Sequence, residues 1–191
     1  MTITNTQVQQ SVIEPVLCDG VMFFGDYWRN DRRADSDTFS KQILQLKQPD
    51  EKAIGEFLNM LGSAALPEFD AIACVPTHRF DPQYSGVREL GQRLALRLSA
   101  IDATRCLFRT VNVPKNAYGA NRRAYIHLES VVVRDGELVA GKTVLLLDDV
   151  LTTGSSMRAR CWLLNEAGAK EVRPLALART VRLFSTLPTR P

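Results

Sequence analysis

One segment constrains the fold of this chain more than any other: Val144-Leu145-Leu146-Leu147, followed at once by Asp148-Asp149. Four apolar residues in a row, without alternation, predict a strand over Thr143–Leu147 buried on both faces, as in a parallel sheet covered by helices. The two carboxylates predict that this strand ends in a polar crevice. Val150 and Leu151 lead into Thr152-Thr153-Gly154-Ser155-Ser156, and a stripe of Met157, Cys161 and Leu164, stopped by Gly168, predicts a helix. The order is strand, loop and helix start.

A loop of this composition suits an anion. Gly154 lets the backbone approach a ligand with no side chain in the way, and N–H groups of the turn and of the helix start converge on one spot. Hydroxyls of Thr152, Thr153, Ser155 and Ser156 add donors to that concavity. A bond to a charged oxygen contributes about 1.5–3 kcal/mol net, so four or five would hold a phosphate monoester firmly. No Lys follows the glycine, which argues against a Walker-type loop. Acids beside a phosphate repel it unless they face another part of the ligand. Vicinal sugar hydroxyls are the natural partners of Asp148 and Asp149, so a pentose 5-phosphate fits the pair and the loop together. The competing reading is a strand and capped helix that carry these side chains and bind nothing.

The string Val144 to Ser156 resembles the phosphoribosyl pyrophosphate (PRPP) signature of type I phosphoribosyltransferases: an apolar run, two acids, a short apolar spacer, Thr-Thr-Gly, a small residue, then Ser or Thr. The match has no gap. The resemblance implies an α/β fold, an open, twisted, mainly parallel sheet flanked by helices, with a small hood-like segment at the amino end. It assigns PRPP binding to Asp148, Asp149, Val150, Leu151, Thr152, Thr153, Gly154, Ser155 and Ser156.

The rest of the chain fits that architecture. At 191 residues with 45% hydrophobic and 24% charged, it can bury one sizeable core. We expect a loose segment over 1–20, a phosphoribosyltransferase-like domain over 21–180 and a tail over 181–191. Val21 to Phe24 predicts a short strand. Phe39, Ile43 and Leu46 predict one helix; Ile54, Phe57, Leu58 and Leu61, after Pro49-Asp50-Glu51, predict a second. Ala71 to Val75 is an apolar strand stopped by Pro76, and Val87, Leu90, Leu94 and Leu98 mark the helix after it. Leu107 to Arg123, with Pro114, Gly119 and several basic residues, predicts a long loop with a mobile tip. Tyr125–Leu128 and Val131–Val133 predict strands, Asp135-Gly136 a turn and Val172–Ala178 a last strand. Such sheets bind ligands beyond the carboxyl ends of their strands.

Two more clusters fall at that end. Pro76-Thr77-His78-Arg79-Phe80-Asp81 follows its strand as the Thr152 loop follows its own. The resemblance makes it the pyrophosphate-binding loop, with Arg79 as the basic group and Thr77 and His78 assisting; a merely solvated Arg79 is the alternative. Lys115, Arg122 and Arg123 form the second cluster. Related enzymes close a mobile loop over an oxocarbenium-like transition state, and Lys115 is the candidate for that part in catalysis, against an ordinary solvated lysine. His127, between Ile126 and Leu128, reads as structural.

A narrower resemblance, to the ComF family of phosphoribosyltransferase-like proteins, rests on Phe24-Gly25-Asp26-Tyr27, Ile43-Leu44-Gln45-Leu46-Lys47, Val75-Pro76-Thr77-His78-Arg79, Asn121-Arg122-Arg123 and Asp148 to Gly154. The amino-terminal zinc-binding Cys pairs common in that family are missing. Its Arg-Gly-Phe-Asn-Gln stands here as Ser85-Gly86-Val87-Arg88-Glu89.

The resemblance implies transfer of a phosphoribosyl group to a nitrogen nucleophile with release of pyrophosphate, assisted by Mg2+ held mainly through PRPP. The catalytic set would be Asp148, Asp149 and Lys115, and the acceptor would stack near Phe23, Phe24, Tyr27 and Trp28. A PRPP-sensing regulator and a ComF-like accessory of DNA uptake are the other readings. Net charge is +3 without a Lys/Arg-rich block, so nucleic acid is not an expected partner. Cys18, Cys74, Cys106 and Cys161 are scattered and read as reduced core thiols, and no apolar run reaches the roughly 18 residues of a membrane span. A cytoplasmic protein is expected, with homodimerisation left open.

Overall fold

Helix-period stripes and short apolar runs become elements where the sequence predicts them. The computed structural model describes residues 14–18, 20–28, 37–78, 84–111 and 130–181. Its strands are β1 (Val16–Cys18), β2 (Val21–Tyr27), β3 (Ala71–Cys74), β4 (Ile101–Asp102), β5 (Leu107–Arg109), β6 (Val131–Val133), β7 (Thr143–Leu151) and β8 (Glu171–Thr180). The helices are α1 (Thr38–Leu46), α2 (Glu51–Ser63), α3 (Gly86–Leu98) and α4 (Ser155–Glu166). The expected loose amino end, the Tyr125–Leu128 strand, His127 and most of the carboxyl tail lie outside the described residues.

Local chemistry starts each helix. Asp37 and Asp50 accept the Ser40 and Ala53 amides at 2.7 and 3.0 Å, capping α1 and α2. Ser85 does the same for α3 through the Arg88 amide. Each such cap contributes about 1 kcal/mol.

Six strands form one sheet in the order β1-β2-β8-β7-β3-β4, with every neighbouring pair parallel except β1 and β2. Helices flank it, as the type I phosphoribosyltransferase fold requires. On one face Ile43 and Leu46 of α1, Phe57 and Leu61 of α2, and Leu90 and Leu94 of α3 pack on Ile72, Leu145 and Leu147. On the other, Met157 and Leu164 of α4 pack with Val144, Leu146 and Ala176. Burying a side chain of this size contributes about 1.5–3 kcal/mol, so the two layers hold the sheet between them.

Three expectations change. Leu107–Arg109, read as the start of a loop, is β5, which pairs antiparallel with β6 in a separate ribbon; Leu107 and Val131 are buried in the α4-side core. The strand expected to end at Leu147 runs on to Leu151, because β8 accompanies it as far as the Leu151–Arg179 pair. The strand expected over Val21 to Phe24 extends to Tyr27 as β2, which pairs with β8 and buries Phe23 and Tyr27.

One close approach fixes how α1 meets α3. A Cβ on Gly86 would lie 1.7 Å from the Leu46 carbonyl oxygen, so the end of α1 rests on the bare backbone at the start of α3. Arg93 of α3 adds a tie to α2, donating to Glu89 of its own helix and, at 2.8 Å, to Glu51. Gly86→Ala should therefore cost about 1–3 kcal/mol. Gly55→Ala, in the middle of α2 with no atom within 4 Å of the added Cβ, should gain about 0.5–1 kcal/mol. Urea melts of the two variants check the opposite signs.

Candidate functional site

Parallel strands put their carboxyl ends on one side of the sheet. Cys74 pairs with Leu147, Leu151 with Arg179, and Tyr27 with Thr180, so the loops after β3 and β7 and the end of β2 emerge together. Asp148, Asp149 and Val150 lie inside β7, and Leu151 is its buried last residue. The Asp149 amide donates to Asp148 Oδ1 at 2.8 Å, and the Val150 amide to Asp149 Oδ1 at 2.7 Å. Each acid thus has one oxygen fixed by the backbone next to it.

The two acids differ in charge environment. Burial first, and the Asp149 charge second, push Asp148 well above the ordinary carboxylate range. Asp149 meets a cation: Lys47 Nζ, just past α1, lies 3.1 Å from its Oδ2 and 5.6 Å from the centre of the Tyr27 ring. Carboxyls held this way present oxygens in unequal surroundings to the hydroxyls of a ligand.

The loop after β7 has the expected form. Thr152 and Thr153 are exposed, and Gly154 is buried with φ of 72°, the left-handed conformation that a β-carbon disfavours. Thr153 Oγ1 contacts Ser155 Oγ at 3.2 Å, and Thr152 Oγ1 contacts Thr180 Oγ1 at 3.2 Å, tying the loop to β8. Ser155 and Ser156 open α4, and Gly154 at its N-cap offers no side-chain hydrogen bond to it. The positive end of this 12-residue helix therefore points its amides into the loop.

The loop after β3 is held from beneath. Thr77 and His78 are half-buried there. Buried Arg109 of β5 donates through Nε to the Thr77 carbonyl and through Nη1 to Ser130 Oγ at 2.9 Å. Burial lowers its pKa. Arg79, Lys115, Arg122 and Arg123 lie outside the described residues.

Sequence reasoning missed four cations here. Lys47 enters that reasoning only as the last residue of Ile43-Leu44-Gln45-Leu46-Lys47, with no part in the site. Arg109 lay within an assumed loop. Arg158 donates through Nη2 to the Thr153 carbonyl at 3.1 Å, bracing the loop. Arg160 is fully buried in α4; burial, then the Arg109 charge, push its pKa down to about 10, while Asp148 opposes the shift. The one available signal was an arginine at position 160 on a stripe otherwise apolar.

The model of the phosphoribosyl transferase domain matches residues 82–181, more than half of the chain. The chain belongs to this phosphoribosyl transferase family. No curated protein matches it. Among solved structures it is similar to adenine phosphoribosyltransferase from Leishmania tarentolae, with 18% identity and a TM-score of 0.49 over 86% of this chain and 80% of that one. It is also similar to adenine phosphoribosyltransferase from Thermoanaerobacter pseudethanolicus, with 17% identity and a TM-score of 0.44 over 69% and 82%. A third likeness is an allosteric regulatory enzyme of purine biosynthesis, with 23% identity and a TM-score of 0.43; 64% of this chain covers 24% of that one. Among the described residues, no helix is long and apolar enough to cross a membrane.

In this phosphoribosyl transferase domain the raised Asp148 gives a stability test. Its folded-state value lies above the ordinary 3.8, so the stability it contributes is fully present below that pH and is lost as pH rises through the raised value. Asp148→Asn keeps an acceptor for the Asp149 amide and carries no charge. Its Tm at pH 7 should exceed wild type, by about 2–4 °C for each kcal/mol relieved. The gain should shrink toward pH 4 in thermal melts; a lower Tm at pH 7 would contradict the burial argument.

Proposed function

We propose that the protein binds PRPP with Mg2+ and transfers its phosphoribosyl group to a nitrogen nucleophile, releasing pyrophosphate, as a ComF-like member of the type I enzymes. One observation carries this reading. A carboxylate pair in unequal environments lies near the carboxyl end of the central strand β7, and beyond that strand the left-handed Gly154 leads into a helix start with no side-chain cap.

The parts divide the ligand. Asp148 and Asp149 take the ribose hydroxyls, Thr152 to Ser156 the 5-phosphate, and Thr77, His78 and Arg79 the pyrophosphate, with Lys115 closing over it. A nitrogen lone pair forms the bond to the anomeric carbon as the carbon–oxygen bond to pyrophosphate breaks. The chain offers no covalent nucleophile in this scheme, so positioning and charge lower the barrier. Two carboxylates on adjacent residues fit a magnesium ion that draws most of its ligands from phosphate, ribose and water oxygens. When bound, that ion neutralises charge on the leaving group. Residues 21–180 would act as one unit, in the cytoplasm, consistent with the unbridged thiols of Cys74, Cys106 and Cys161.

Calorimetric titration with PRPP and Mg2+ tests the site. Asp149→Asn should weaken binding by about tenfold or more, the loss of one charged acceptor. Gly154→Val should abolish it, since the new side chain is strained at φ of 72° and its Cβ meets Arg158 Nη1 at 2.9 Å. Undiminished affinity in Gly154→Val refutes the loop assignment. Pyrophosphate release over a panel of bases and amines then separates an enzyme from a PRPP-sensing regulator, which would bind without turnover.

A further inference from the structure

Lys47 stands outside the family-matched span, yet it reaches the acid pair at the centre of the sheet. Its place is set by backbone contact. The preceding residue, Leu46, is buried and rests its carbonyl on the bare backbone of Gly86, so the end of α1 is wedged against the start of α3. From there the ammonium spans to Asp149 Oδ2, beside the ring of Tyr27.

Both oxygens of Asp149 are then engaged, Oδ1 by the Val150 amide and Oδ2 by Lys47, which fixes the plane of the carboxylate. The lysine side chain is 44% exposed and the aspartate 26%. An ion pair this open to water contributes little to stability. Its geometric effect is larger: a carboxylate gripped at both oxygens meets a ligand hydroxyl in one orientation, and ordering it in advance lowers the cost of binding.

We propose that Lys47 is a positioning residue of the ligand site, holding Asp149 in the orientation that receives the sugar hydroxyls. The inference rests on the PRPP reading above and adds a part that α1, rather than the phosphoribosyl transferase span, supplies. Lys47 acts through Asp149 and does not contact the ligand.

The test is a double-mutant cycle on the full chain, titrating PRPP with Mg2+ into wild type, Lys47→Met, Lys47→Arg, Asp149→Asn and the Lys47→Met/Asp149→Asn double variant. Lys47→Met should weaken affinity by about tenfold, the loss of one charge-assisted contact. Lys47→Arg should restore most of it. In the Asp149→Asn background, Lys47→Met should change affinity by less than about twofold, because coupled residues lose their effects together. The Tm of Lys47→Met should stay within about 4 °C of wild type, as expected for an exposed pair. Unchanged affinity in Lys47→Met overturns the inference and leaves the PRPP reading standing. A full tenfold loss in the Asp149→Asn background also overturns it, since the lysine would then touch the ligand directly. Wild type that gives no heat with PRPP overturns the PRPP reading and this inference with it.

Discussion

β7 is hydrogen-bonded along both sides, to β3 over Val144–Leu147 and to β8 from Thr143 to Leu151, and helices cover both of its faces. A strand in that position has no solvent-facing side until it leaves the cover of the two layers. Its side chains must be apolar up to that point, and Val144 to Leu147 are fully buried. Asp148 and Asp149 are the first residues at which a charge is tolerable. The same pairing brings the ends of β3, β8 and β2 to one side of the sheet, so the place where acids become tolerable is also where the loops converge.

That constraint explains how much could be read from residues alone. Long apolar periods made α1, α2, α3, β3, β7 and β8 legible, and the small hydroxyl-bearing residues around Gly154 made the loop legible. β5 was not: three residues cannot establish a period, and its stability comes from β6, more than twenty residues further on. The length of β7 was underestimated because two acids in sequence look like an ending, while the backbone pairing with β8 continues beneath them. Lys47 carries no local sign of its partner, since the contact with Asp149 depends on how α1 is seated on Gly86.

Buried cations were the larger blind spot. Arg109 and Arg160 are charged residues in a sequence whose other charges lie mostly outside the core; the apolar stripe around Arg160 hints at its burial, and nothing beside Arg109 does. Arg109 gathers the Thr77 carbonyl and Ser130, and so joins the ribbon of β5 and β6 to the loop after β3. A buried guanidinium is costly unless bonded in this way. Lys47 on Asp149 and Arg158 on the Thr153 carbonyl add positive charge beside the acid pair and the loop, which offsets part of what two carboxylates would otherwise do to an anionic ligand.

The strand order has a practical result for anyone dividing this protein. β3, at Ala71–Cys74, sits between β4 and β7, but it precedes the family-matched span of residues 82–181. A fragment trimmed to that span would orphan β4 and strip one flank of the apolar run Val144–Leu147 in β7. The naked amides and carbonyls of Val144 to Leu147 would then be a template for the same segment in another molecule, and self-association should outpace folding.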